Sequence, residues 1–183
     1  MKKSLLPFGL LLAMAVGVIT PSCDDDDAKT TWEQYASWRE SNTAWFNEQA
    51  MLKDEAGLPL YTLTAAAYNP QNQFLMRFIG NPEENEGNYQ PLYTSTATVN
   101  YEVHLFEGTT IDSAANFTTQ LSSSGLITGW SEVITRMHVG DSVEAILPYT
   151  LAYGSTGAMA VPPYSVLRFN IRLVDVPAYE VRP

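Results

Sequence analysis

The chain has 183 residues with 10 basic and 20 acidic side chains, a formal net charge of −10. So acidic a surface excludes a nucleic-acid footprint, which needs clustered Lys and Arg. The single cysteine, Cys23, excludes a disulfide within the chain, and the length suits one domain with an appendage.

Lys2 and Lys3 precede a run from Ser4 to Ile19 that is apolar apart from Ser4. The run is too short for a spanning helix and predicts a signal peptide over residues 1–22. Thr20-Pro21-Ser22-Cys23 resembles a lipobox, with Pro21 unusual there, and puts Cys23 where bacterial lipoproteins are acylated. Removal of the leader takes away Lys2 and Lys3 and leaves every acidic side chain. Asp24 to Asp27 then forms a solvated, self-repelling stretch in a lipidated tether over 23–30. It is also similar to the acidic export signal of Bacteroidetes lipoproteins. The resemblance implies an outer-membrane lipoprotein, facing the periplasm or the cell surface and held to the membrane only through Cys23.

Thr31 to about Glu55 predicts a helix. Thr30 and Glu33 form a capping box, and Gly57 with Pro59 stops it. Trp32, Tyr35, Trp38, Trp45 and Leu52 fall near one face, interrupted by Asn42. That face is expected to pack on the following domain; a partner-binding helix would instead leave its tryptophans exposed. Helix and connecting segment together occupy 31–71. Short strands are expected at Leu60–Ala66 and Phe74–Ile79 around the turn Asn69-Pro70-Gln71-Asn72, and residues 81–90 read as an exposed acidic loop.

Beyond them the alternation is clean. Ala97, Val99, Tyr101, Val103 and Leu105 share one strand face, and Thr98, Asn100, Glu102 and His104 the other. The period returns at Val143, Ala145 and Leu147, and at Leu167, Phe169, Ile171 and Leu173. Trp130, Val133, Ile134 and Met137 lie at helical spacing between them. One short helix on a one-sided antiparallel sheet is an α+β domain.

Familiar catalytic constellations are missing. His104 and His138 have no carboxylate or cysteine at metal-ligand spacing and read as solvated. There is no nucleophile elbow, phosphate loop or dinucleotide fingerprint, so neither metal nor cofactor is expected.

What remains is an ordered set of segments. Val99-Asn100-Tyr101 is followed by Phe106-Glu107-Gly108 through Ile111-Asp112-Ser113, then by Leu126-Ile127-Thr128-Gly129-Trp130 and Met137-His138-Val139-Gly140-Asp141. Leu147-Pro148-Tyr149 through Tyr153-Gly154 comes next, and Val161-Pro162-Pro163 through Leu167-Arg168-Phe169 closes the series. In order and spacing this resembles the FKBP-type peptidyl-prolyl isomerase family. The resemblance implies an FKBP-like domain over 72–178, a curved antiparallel sheet wrapped on one short helix, with the N-terminal helix as an extension. It implies a pocket with Trp130 as floor and Tyr101, Ile111, Phe117, Leu126, Ile127, Val161 and Phe169 as walls. Tyr153 would offer its hydroxyl to a substrate carbonyl, and Asp112 would sit at the rim near Tyr101. Ile111 stands where the family usually has phenylalanine, Thr119 replaces another aromatic, and Glu102-Val103 replaces the usual Thr-Gly.

The implied activity is isomerisation of X-Pro bonds in exported polypeptides, with proline-containing chains as substrates. Alternatives are a catalytically weak chaperone or peptide-binding lipoprotein, and a purely structural one. The residue types suit the first reading. A twisted peptide bond has less charge separation than a planar one, so an apolar pocket favours it without proton transfer or metal.

Overall fold

A computed structural model describes residues 29–178. The expected signal peptide, Cys23 and the run Asp24–Asp27 lie outside them. Among the described residues no helix is long and apolar enough to cross a membrane.

Six strands form one antiparallel sheet. They are β1 (Thr62–Ala65), β2 (Gln73–Phe78), β3 (Thr96–Leu105), β4 (Thr110–Gln120), β5 (Ser142–Leu147) and β6 (Leu167–Ala178), in spatial order β1-β2-β5-β6-β3-β4. The fold is α+β, as the alternation predicts. Val99, Val103, Val143, Ala145, Leu147, Leu167, Phe169, Ile171 and Leu173 all enter one buried core. A short helix, α3 (Thr128–Ile134), closes that core with Trp130, Val133 and Ile134, and Met137 is buried just beyond its end.

The N-terminal helix is broken in two. Thr30 and Glu33 make the expected capping box for α1 (Thr31–Gln34), but Tyr35 leaves helical geometry at ψ 20° and α2 (Ala36–Met51) restarts after it. The helix therefore ends at Met51 rather than near Glu55. It covers the second face of the sheet. Leu75, Ile146 and Val166 alternate with the main-core residues of β2, β5 and the approach to β6, and form a smaller core with Tyr61. Trp45, Phe46 and Ala50 pack against it. Trp38 sits edge-on to Phe106, with ring centroids 5.1 Å apart.

Two features go beyond the sequence reading, and one expectation, the solvated His104, is corrected. β1 pairs with β2 in the register Thr62 to Met76, so the sheet begins before the domain boundary expected at residue 72. Residues 110–120 form a full strand that the sequence does not announce; β4 is an edge strand, exposed along most of its length, with no period to read. His104 is not solvated: it is 8 % exposed, because Val103, His104 and Leu105 are all buried at the end of β3. Its Nδ1 lies 3.0 Å from Thr110 Oγ1, and its Nε2 3.4 Å from a Glu102 carboxylate oxygen. His138 also has a carboxylate close by, Asp141 at 3.8 Å.

The acidic loop 81–90 is exposed but tethered. Asn85 Nδ2 donates to Asp141 Oδ1 at 2.9 Å and Asn88 Nδ2 to the Val139 carbonyl at 2.7 Å.

Candidate functional site

The site is built around Trp130, the third residue of α3. Gly129 makes its placement possible: a Cβ there would stand 2.5 Å from Leu147 Cδ1 and 2.8 Å from the Leu151 carbonyl oxygen. Only glycine lets the start of α3 approach the end of β5 this closely. On the other side Ser131 Oγ donates to the Leu121 carbonyl at 2.5 Å. The indole is thus fixed from both flanks, 4 % exposed.

Three rings surround it edge to face. Tyr101 of β3 lies 5.0 Å from Trp130 at 86°, Phe169 of β6 at 5.7 Å and 68°, and Phe117 of β4 at 6.3 Å and 77°. Tyr101 and Phe117 meet at 5.7 Å and 76°. Such pairs place a positive ring edge on a negative face and hold the walls in fixed orientation. The sheet register explains the grouping. Tyr101 is opposite Ala114 and Ile171, Phe117 opposite Val99, and Phe169 opposite both Val103 and Ala145. A bulge at Asn116 (φ 54°), whose N–H donates to Asn100 Oδ1 at 2.7 Å, shifts the β3–β4 register between Val99 and Tyr101.

The rings line a cavity of about 500 Å³. All ten site residues expected from the sequence line it: Tyr101, Asp112, Trp130, Tyr153, Ile111, Phe117, Leu126, Ile127, Val161 and Phe169. Sequence reasoning missed Val103, Gly125, Ala158, Met159, Ala160 and Leu167. Val103 and Leu167 were legible as inward positions of their strands. Met159, fully exposed at φ 44°, belongs to a loop with no periodic signal.

Polar groups on the lining are few. Tyr101 donates its hydroxyl to Asp112 Oδ2 at 2.6 Å, and Asp112 Oδ1 accepts the Ser113 N–H at 2.8 Å. Burial, and then the bond to the Asp112 carboxylate, push the Tyr101 hydroxyl up to about 12. Tyr153 is 40 % exposed. The Trp130 Nε1–H is buried without an acceptor among the described residues. The arrangement can enclose an apolar ring and offer a hydroxyl at its edge.

The chain is similar in sequence and in fold to known proteins. Residues 87–174 match the family model described as FKBP-type peptidyl-prolyl cis-trans isomerase. The FKBP-type 22 kDa peptidyl-prolyl cis-trans isomerase of Escherichia coli (strain K12) is 38% identical over 89 residues, which are 47% of this chain and 43% of that protein. The peptidyl-prolyl cis-trans isomerase Mip of Coxiella burnetii is 40% identical over 91 residues, 47% of this chain and 39% of that one. The chain thus spans less than half the length of these two curated relatives. A crystal structure of a peptidyl-prolyl cis-trans isomerase from Pseudomonas syringae superposes with a TM-score of 0.60 at 20% identity, over 77% of this chain and 94% of that one. At that identity the likeness shows the fold.

Proposed function

We propose that the chain isomerises X-Pro bonds of polypeptides through the cavity over Trp130, a reading supported by the match of residues 87–174 to the FKBP-type peptidyl-prolyl cis-trans isomerase model. The observation that carries this reading is the meeting of ten expected residues around one apolar, aromatic-walled space.

The planar X-Pro bond resists rotation by about 18–20 kcal/mol because its resonance must be broken. At the twisted state the carbonyl oxygen gives up the part of its negative charge that resonance supplies, and the nitrogen regains its lone pair. An apolar enclosure is then better matched to the twisted than to the planar form, and this difference in binding is the catalysis. In the proposed pose the proline ring stacks on the Trp130 indole between Phe169, Val161 and Ile127. Tyr153, whose hydroxyl is partly open to solvent, donates to a substrate carbonyl. Tyr101 and Asp112 hold each other and fix the rim rather than exchange protons with substrate.

The envelope setting belongs to the same proposal. Lys2-Lys3, the apolar run and Cys23 support export and acylation, which would confine the domain to exported, proline-containing chains at a membrane surface. A weakly catalytic chaperone is the second reading, and the observation favouring it is Ile111: an aliphatic wall residue where the resembling family carries an aromatic.

Isomerisation of a short X-Pro peptide, followed with the chain from Asp24 onward, separates the two. Acceleration over the uncatalysed rate, lost in Trp130→Ala, supports the enzyme. No acceleration, with retained binding of unfolded chains, rejects it in favour of the chaperone. Metabolic labelling with palmitate in wild type and Cys23→Ala tests the anchor.

A further inference from the structure

Tyr153 and Val161 approach the cavity from a single loop, 153–164, which is anchored by buried Val161 and Tyr164 but is largely open between them. Ser155, Thr156, Met159 and Ala160 are exposed. Four of its residues adopt left-handed backbone: Gly154 (φ 65°), Gly157 (φ 68°), Met159 (φ 44°) and Tyr164 (φ 62°). The two non-glycine positions are unfavourable and persist only where surrounding structure enforces them. Inside the loop, Ala158 and Val161 exchange backbone hydrogen bonds at 2.9 and 2.7 Å. The Tyr164 N–H bonds the Gly154 carbonyl at 2.9 Å, beside Tyr153.

The enforcement from outside comes from α1 and α2. Asn42, the polar residue that interrupts the aromatic stripe, is 1 % exposed and accepts the Val166 N–H on Oδ1 at 2.7 Å. Its Nδ2 donates to the Trp38 carbonyl at 2.8 Å. Trp38 Nε1 donates to Ser165 Oγ at 3.0 Å, and Ser165 Oγ in turn donates to the Pro162 carbonyl at 2.7 Å. Trp32 stands edge-on to Tyr164 at 5.4 Å, with the Arg39 guanidinium 3.2 Å from its ring centre. The hydrogen bonds thus fasten positions 162, 165 and 166, and the ring contact fastens Tyr164.

We infer that Asn42 and Trp38 are positioning residues for the cavity: they strap the 162–166 turn and so set the places of Val161 and Tyr153. The N-terminal helix is then part of the working site, not a spacer between membrane and domain. This rests on the isomerase reading for its effect on rate, but the strap itself has an independent readout.

The test uses the full chain with Asn42→Ala and with Trp38→Phe, which keeps a ring against Phe106 while removing the N–H. Steady-state isomerisation is expected to show KM raised roughly tenfold in Asn42→Ala, with a smaller change in kcat, as for a lost buried hydrogen bond. Trp38→Phe should move the same way by less. Amide hydrogen exchange at Val161 and Tyr164 should quicken by a similar factor, while Leu173, bonded to the Asp141 carbonyl, keeps its rate. Unchanged KM and loop exchange in folded variants overturn the inference, as does a uniform rise across sheet amides, which marks plain destabilisation. If Asn42→Ala does not fold, Trp38→Phe and Ser165→Ala decide. If the wild type isomerises nothing, the isomerase reading fails while the exchange pattern still decides the strap.

Discussion

The Tyr101 hydroxyl lies 2.6 Å from Asp112 Oδ2, joining β3 to β4 at the mouth of the cavity. The carboxylate is oriented a second time by the Ser113 N–H, and the Tyr101 ring is set edge-on against Trp130. Rim, wall and floor are therefore one connected unit. The Tyr101 proton is committed to Asp112, which leaves Tyr153 as the hydroxyl with freedom to meet a ligand.

This division of roles predicts different outcomes for the two tyrosines. Tyr153→Phe would remove the proposed substrate contact and should lower kcat/KM by about tenfold with a negligible change in unfolding midpoint, the worth of one hydrogen bond. Tyr101→Phe leaves Asp112 unbonded on that side and should cost both rate and about 1 kcal/mol of stability. Parallel kinetics and urea unfolding check the contrast; equal stability losses in the two variants would contradict it.

Alkaline pH should unfold the domain by a definable route. Tyr101 and Tyr61 are both raised from 10.0 to about 12, by burial first and then by hydrogen bonds to Asp112 and Glu144. Folding thus favours their neutral forms. Their contribution is complete below the ordinary value of 10 and fades as pH climbs through the folded values near 12. Unfolding midpoints should fall across that window, and Tyr101→Phe should flatten part of the fall. Phenolate absorbance measured alongside identifies the titrating groups; a midpoint that rises there contradicts the assignment.

The fold's main core was legible because β3, β5 and β6 each bury one face against α3, so inward residues recur every second position. The rest was hidden for three physical reasons. β4 is an exposed edge held by backbone pairing, and Asp112 to Thr119 carries no hydrophobic period. The outer face of the sheet is covered by α2, so Leu75 and Ile146 are buried between residues that are themselves buried on the other side. A two-sided run has no alternation to read. Asn42 looked like a flaw in the stripe because its value lies in the amide of Val166, 124 residues away. The ten residues that line the cavity were named through family resemblance, since no pattern of charge or spacing alone selects an apolar pocket.

Ile111 offers the sharpest gain-of-function prediction. It is half-buried, packs on the main core and lines the cavity together with Tyr101, Phe117, Trp130 and Phe169. Ile111→Phe should supply an aromatic edge to the mouth and raise kcat/KM at least severalfold, since aromatic pairs contribute about 0.5–1.5 kcal/mol beyond their area. Unchanged or lower activity in a stable variant would mean that the aliphatic wall is already suited to its ligand and that the difference from the resembling family is a matter of specificity.

Trp130 carries two burdens that substitution can separate. Trp130→Ala opens a void among Tyr101, Phe117 and Phe169 and should cost about 3–5 kcal/mol. Trp130→Phe retains most of the contact and removes the buried Nε1–H that has no acceptor among the described residues, so its stability loss should be much smaller. If the indole matters as the floor for a proline ring, Trp130→Phe should still raise KM; equal KM in a folded variant would show that any aromatic floor suffices.

Gly129 is a position where a single methyl group should damage the floor of the site directly. A Cβ there meets Leu147 Cδ1 at 2.5 Å and the Leu151 carbonyl oxygen at 2.8 Å. The leucine methyl can swing aside, but Leu151 begins the approach to Tyr153 and its carbonyl moves only with the backbone. Gly129→Ala must therefore push α3 from β5, displacing the adjacent Trp130, and should cost about 1–3 kcal/mol as overpacking. The helix propensity gained by alanine, about 1 kcal/mol, is too small to offset the clash. Gly87→Ala is the control, because nothing lies within 4 Å of a Cβ at that position, and it should change stability by less than about 0.5 kcal/mol. Urea unfolding of both variants, with X-Pro kinetics on whichever folds, checks the argument. A Gly129→Ala protein as stable and active as Gly87→Ala would show that α3 has room to retreat and that its close approach does not set the floor of the cavity.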